Sequence, residues 1–234
     1  MRREARLDYF RVPQFERIPF LVHGFGTRYW TVKDIDRDER LKTFKRISLH
    51  QIHSDSIHFI EKYPQEALQG DALVTNVPGF LLMVKAADCL PVLIADKEQK
   101  VVAAVHCGWR STSRRLAQKV VRSLEMRFGA SPSRLFIAMG PSIKGSCYEV
   151  GEELPRIFAR EGTSGESFRE SPVHSGKYLL DLREANRDQL IQAGVIEKNI
   201  FSVDRCTHCD IDLISFRRDR GSSDRMLSFV GISF

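Results

Sequence analysis

Apolar residues in this chain come in short dense runs. "FLLMVKAADC" (80–89), "LPVLIAD" (90–96), "VVAAVHC" (101–107), "LFIAMG" (135–140), "IFSVD" (200–204) and "MLSFVGISF" (226–234) are mostly bounded by Gly, Pro, Asp or charged residues. Runs of this length, stopped by turn formers, predict strands. Helical spacing shows in two places. In "STSRRLAQKVVRSLEMRFG" (111–129), Leu116, Val120, Val121, Leu124 and Phe128 fall on one stripe, with Ser111 to Ser113 as caps and Gly129 as the stop. "DLREANRDQLIQAG" (181–194) opens on Asp181 and Glu184 in a capping-box pattern and closes at Gly194. Residues 159–177, rich in Gly, Ser and charge and poor in large apolar residues apart from Phe168 and Val173, predict a loop. Strands and helices mix without the regular alternation of a doubly wound sheet, so the expected class is α+β. No repeat divides the chain, and residues 1–234 are expected to form a single domain.

Chemistry gathers at the ends of the predicted strands. Alternation along "VVAAVHC" puts Val102, Ala104 and His106 on one face and Cys107 on the other, so His106 and Cys107 cannot both serve one site. Gly108 ends the run and Arg110 follows just before the helix, a setting that receives an anion such as phosphate or a carboxylate. The same parity sets Lys85, Ala87 and Cys89 on one face and Asp88 on the other. Asp88 is expected to satisfy backbone groups or a neighbouring cation rather than to act in catalysis. "ISLHQIHSDSIHFIE" carries His50, His53 and His58; read as a strand, it places His50 and His58 on one face and His53 on the other, and spacing does not choose between them.

Composition narrows the classes. The opening "MRREARLDYFRVPQF" is charged and lacks an apolar core, and no run approaches the roughly 18 apolar residues of a membrane helix, so a cytoplasmic protein is expected. Five scattered cysteines in such a chain point to reduced thiols or metal ligands rather than a disulfide framework. The net charge of +6 is spread along the chain, which favours anionic small molecules over nucleic acid. "CTHCD", with Cys206, His208 and Cys209, could be half of a second zinc site, but with no second Cys pair in sequence it is read as an ordinary structural segment without metal; Cys147 and Tyr148 are expected to line or support the sheet edge and receive no role.

The motifs "HQIHSD", "GDALVT", "ADCLPVLIAD", "VAAVHCGWR", "MGPSIKGSCYEVGEE", "YLLDLREANRDQLIQAGV" and the "CTHCD...SFRRD" tail resemble the YfiH/laccase-domain family, once labelled polyphenol oxidases. The likeness runs from about residue 20 onward. It implies a four-layer α/β/β/α sandwich shared with the catalytic domain of cytotoxic necrotizing factor. It also implies metal ligands at His53, Cys89 and His106, and zinc-dependent purine nucleoside phosphorylase activity with adenosine deamination. A shell of one Cys and two His leaves a fourth position open for water or substrate, the catalytic type of zinc site. Arg110, then Lys85, are the candidates for phosphate. Copper fits less well, because a multicopper centre needs more His than these three. The rival reading is a cysteine hydrolase or amidase acting on cytoplasmic peptidoglycan precursors, with Cys89 as nucleophile and His106 as its base. After "GFGTR", the stretch "YWTVKDIDRDERLKTFKR" is shorter and more charged than the family's Ser-Leu-Asn loop, and Asp224-Arg225 stands where the family has Gly-Arg.

Overall fold

The computed structural model describes residues 8–162 and 165–234. The charged opening 1–7, and residues 163 and 164 of the expected loop, lie outside the described residues. The apolar runs condense into two six-stranded sheets. In the first, Leu21–Gly26, Met226–Ile232, Phe80–Ala86 and Lys45–His50 lie side by side, edged by Tyr9–Phe10 and Leu68–Gln69. The second has Phe136–Met139, Leu90–Asp96, Val101–Cys107 and Ala72–Thr75 at its centre, edged by Ile200–Ser202 and Ile57–Phe59.

Two-residue alternation sorts each strand's side chains between layers. Val102 and Ala104 join Leu82, Val84, Leu93 and Val230 between the sheets. Val101, Ala103, Val105 and Cys107 turn the other way, onto Leu116, Val120, Val121, Leu124 and Leu190 of the helices Leu116–Phe128 and Leu182–Gln192. Trp30, Ile35, Leu41 and Phe44 cover the outer face of the first sheet. The class is α+β as expected, and the succession of helices, sheet, sheet and cover is compatible with the layered sandwich. The cover carries only the four-residue helix Val32–Ile35. Each fully buried Leu, Val or Phe in these cores contributes about 1.5–3 kcal/mol, which is what holds the strand ends, and the groups on them, in place.

Two expectations need correction. The helix expected over 111–129 is broken: Trp109–Ser113 forms a short helix, Arg115 takes a left-handed φ of 61°, and a second helix runs from Leu116 to Phe128. Ser111, Thr112 and Ser113 are buried inside the short helix, and Gly108 holds the cap position. The break lets the two segments bury different faces: Thr112 meets Asn186 and Gln189, while the Leu116 helix packs on the sheet. The expected loop 159–177 also holds structure. Phe168–Glu170 pairs with Lys177–Leu180, which pairs with Glu149–Gly151 in a three-stranded sheet. The ring of Phe168 packs edge-on against Phe158 at 5.0 Å, and this contact overrides the polar composition. Asp181 caps its helix as expected, accepting from the N–H groups of Arg183 and Glu184. No helix among the described residues is long and apolar enough to cross a membrane.

Candidate functional site

The strands Phe80–Ala86 and Leu90–Asp96 belong to different sheets, and residues 87–89 make the crossing. Asp88 sits at the bend with φ of 81°. Its carboxylate accepts from Thr207 Oγ1 at 2.6 Å and from the Arg217 N–H at 2.7 Å, and its carbonyl accepts from the Ile143 N–H at 3.0 Å. Asp tolerates the left-handed region better than most residues, and these bonds hold it there. Cys89 therefore stands in a turn between sheets, not at a strand end. The alternation expected for Lys85, Ala87 and Cys89 stops where the strand does, at Ala86.

His53 also departs from the strand reading. Lys45–His50 ends in one sheet and Ile57–Phe59 begins in the other, so residues 51–56 are a second crossing, with His53 at φ of 57°. That loop wraps around Asp71, whose fully buried carboxylate accepts from the N–H groups of Ile52 (3.3 Å), His53 (3.1 Å) and Ser54 (2.6 Å), and from Ser54 Oγ (2.9 Å). His50 lines the same cavity as His53, whereas His58 points away, its Nε2 2.8 Å from the Gln69 carbonyl at the sheet edge.

His106, at the end of Val101–Cys107, meets the same carboxylate. Its Nδ1 lies 2.9 Å from Asp71 Oδ1, and its backbone N–H donates to the Asp71 carbonyl at 2.8 Å. An ionised carboxylate only accepts, so Nδ1 carries the proton and Nε2 is left to face the cavity. The potential ligand atoms of His53, Cys89 and His106 all lie within 4.8 Å of one another, and the two imidazoles meet edge to face at 5.0 Å. Gly108 permits this closeness: a Cβ there would stand 3.0 Å from Cys89 Sγ and 3.0 Å from the His53 ring.

The charges fit the geometry. Burial pushes the Cys89 thiol up, but the neighbouring His106 and His53 outweigh it and bring it down to about 6. Burial lowers His106, while Cys89 and Asp71 hold it up at about 9. Thiolate and imidazolium thus stabilise each other. Asp71, despite its burial, is held below the usual carboxylate range by His106 and Ser54. Cys107, on the opposite face as expected, is pushed far up by burial and takes no part. One thiolate and two imidazoles, one of them oriented by a carboxylate, form a donor set that fits a divalent first-row metal.

Above these three groups lies a cavity of about 760 Å³. Lys85 and Arg110, the two expected cations, both line it, joined by Arg217 and Arg225. Arg110 stacks on Trp109 at 4.2 Å and Arg217 lies over Tyr148 at 5.2 Å; both rings also line the cavity, with Phe216. The helix after Gly108 is only five residues long, so Arg110 rather than a helix dipole supplies the positive charge there.

The family model described as "Multi-copper polyphenol oxidoreductase laccase" matches residues 34–233. The chain belongs to this YfiH/laccase-domain family. Among its relatives, a protein named "Purine nucleoside phosphorylase" from Deinococcus radiodurans is 39% identical over 184 residues, 79% of this chain and 69% of that one. "Adenosine deaminase RL5", from an unknown prokaryotic organism, is 39% identical over 170 residues, covering 72% of this chain and 64% of its own length. The crystal structure of YlmD from Geobacillus stearothermophilus superposes with a TM-score of 0.86 at 30% identity, covering 100% of this chain and 98% of that one.

Asp71, Tyr148 and Arg217 escaped the reading of the sequence. Asp71 left a signal, a carboxylate opening the otherwise apolar run "DALV", much as Asp88 does in "KAADCLPV". Arg217 left none, because it reaches the cavity through a long irregular segment.

Proposed function

We propose that the chain is a zinc-dependent purine nucleoside phosphorylase with adenosine deamination as a second reaction of the same cavity. The observation that carries this reading is the convergence of His53, Cys89 and His106 beneath a cation-lined cavity, in a family whose relatives bear those two names. The donor set favours zinc over copper, since three groups including one thiolate match a zinc shell with an open position. Zinc, when bound, would supply Lewis acidity and an activated water at neutral pH.

The chain's own residues supply the rest. Asp71 holds one proton on His106 Nδ1, so Nε2, the nitrogen toward the cavity, is the one that would give up its proton to a metal. In phosphorolysis a phosphate oxygen adds to the ribose C1′ as the glycosidic C–N bond breaks, and the leaving purine takes up a proton. Arg110, pre-positioned on Trp109, and Lys85 hold the phosphate by charge and hydrogen bonds. The rings of Trp109, Tyr148 and Phe216 offer flat apolar surface for the purine. Tyr148, pushed up to about 12 by burial and by the Cys89 thiolate, remains a hydrogen-bond donor at neutral pH.

The Cys89–His106 ion pair also favours a second reading, a cysteine amidase acting on cytoplasmic peptidoglycan precursors, because a thiolate beside an imidazolium is an activated nucleophile. One experiment separates them. The zinc-loaded protein is incubated with adenosine, with and without phosphate, beside a Cys89→Ala control and a chelator-treated sample. Phosphate-dependent adenine that chelation abolishes supports the phosphorylase, and inosine supports the deaminase. Intact adenosine in every tube, with stoichiometric alkylation of Cys89, favours the amidase.

A further inference from the structure

A second cluster of metal-capable groups lies outside this centre. Cys147 closes the short helical turn Gly145–Cys147, and Cys209 and His208 sit far along the chain in the irregular stretch 203–225. Backbone pairing brings the two segments together: Ser142 bridges to Cys206, and the Thr207 N–H donates to the Ser142 carbonyl at 3.1 Å. Cys147 and Cys209, 62 residues apart in sequence, come to lie with their sulfurs 3.3 Å apart. A donor atom of His208 lies within 4.8 Å of both. The partner that "CTHCD" lacks in sequence is thus supplied by the fold.

We propose that Cys147, His208 and Cys209 bind a second zinc ion, which staples the 203–225 stretch to the Gly145–Cys147 turn. Tetrahedral zinc with Zn–S of about 2.3 Å spaces two thiolates by about 3.7 Å, so the observed separation needs a shift of only a few tenths of an ångström. A disulfide would need a contraction to about 2.05 Å and would leave His208 without a role. Cys206 lies next to the cluster, its sulfur accepting the Lys144 N–H at 3.4 Å and neighbouring Cys209. Irregular connections this long are uncommon in compact folds. This one carries Thr207 and Arg217, which hold Asp88 at the Cys89 turn, and Phe216, which lines the cavity. The second zinc would therefore be structural, fixing one wall of the first site.

The test uses the full chain, purified reduced and anaerobically, loaded with zinc and freed of excess. Because the first centre's metal is a separate proposal, the decisive protein is the Cys89→Ala variant, in which that centre is broken. It is expected to retain one zinc per chain, falling to none when Cys147→Ser or Cys209→Ser is added. Cobalt in its place should give a thiolate-to-cobalt absorption band that either serine variant removes. Cys209 is exposed, so its replacement leaves the folded core intact. Failure of the first centre alone would show as one zinc in both wild type and Cys89→Ala. A Cys89→Ala protein that is folded but holds no zinc and gives no cobalt–thiolate band overturns the proposal. So does a thiol titration showing Cys147 and Cys209 joined as a disulfide in the reduced preparation.

Discussion

Replacing Asp71 by Asn tests whether a carboxylate that touches no substrate governs the centre through a tautomer. Oδ2 of Asp71 accepts from the N–H groups of Ile52 and Ser54 and from Ser54 Oγ, while Oδ1 accepts from the His53 N–H and from His106 Nδ1. Asn keeps one oxygen. The orientation that costs least leaves it on the side with three donors and turns the amide NH2 toward His106. His106 then has to accept at Nδ1 and keeps its single proton on Nε2, so the nitrogen facing Cys89 is no longer the one it can give up to a metal. The His53 N–H loses its acceptor as well. Two charge-assisted bonds at about 1.5–3 kcal/mol each, partly recovered by the new amide contact, put the stability loss at about 3 kcal/mol. In a chain of this size that lowers Tm by about 6–12 °C. Zinc affinity, measured by competition with a chromophoric chelator, should fall about 10–100-fold. Ser54→Ala is the control: it removes one bond to Asp71 and leaves the tautomer alone, so it should lower Tm with little change in affinity. An Asp71→Asn protein that is destabilised but binds zinc as tightly as wild type would refute the tautomer reasoning.

Arg110→Ala should raise KM for phosphate by about tenfold or more, the loss of a charge-assisted contact, with a smaller effect on nucleoside KM; unchanged phosphate dependence removes Arg110 from that role. Gly108→Ala puts a methyl group 3.0 Å from Cys89 Sγ and from the His53 ring, so metal affinity should drop while the far-ultraviolet spectrum stays the same, and isothermal titration would expose a lack of effect. His23 sets a pH dependence away from the site. Burial, with smaller contributions from Arg11 and Arg40, depresses it from 6.5 to about 4, and its Nε2 accepts the Val12 N–H at 2.8 Å. Between those values the unfolded chain binds the proton and the folded chain does not. Stability is therefore complete above pH 6.5 and declines by about 3 kcal/mol as pH falls toward 4. Urea midpoints from pH 4 to 7 should show that slope in wild type and a flatter one in His23→Leu.

What the sequence disclosed was what alternation and stop signals encode. The strands at 80–107 and 226–232, the two faces of "VVAAVHC" and the Asp181 cap follow from local pattern, because each is fixed by neighbours within a few residues. The site is legible only where a strand delivers its residue. His106 sits as its strand's parity requires, but Cys89 and His53 sit in crossings between sheets, at or beside left-handed residues, where two-residue alternation no longer applies. Here the family resemblance named residues that periodicity could not choose. The 111–129 helix misled because its apolar stripe continues past a backbone break at Arg115, and only the packing of Thr112 against Asn186 reveals it. Asp71 and Cys147 find their partners through pairing between distant segments, which no local window contains.

The first sheet also constrains the order of events in the cell. Met226–Ile232, the last strand in chain order, is inserted between Leu21–Gly26 and Phe80–Ala86, and the latter leads directly into the turn that carries Cys89. A nascent chain can complete the second sheet except its Ile200–Ser202 edge before this keystone leaves the ribosome, yet the strand ahead of Cys89, already paired with Lys45–His50, lacks its second neighbour until then. Metal capture at the proposed centre is therefore expected only once Met226–Ile232 is in place, and a product terminated before that strand would leave Phe80–Ala86 with an open edge beside the Cys89 turn.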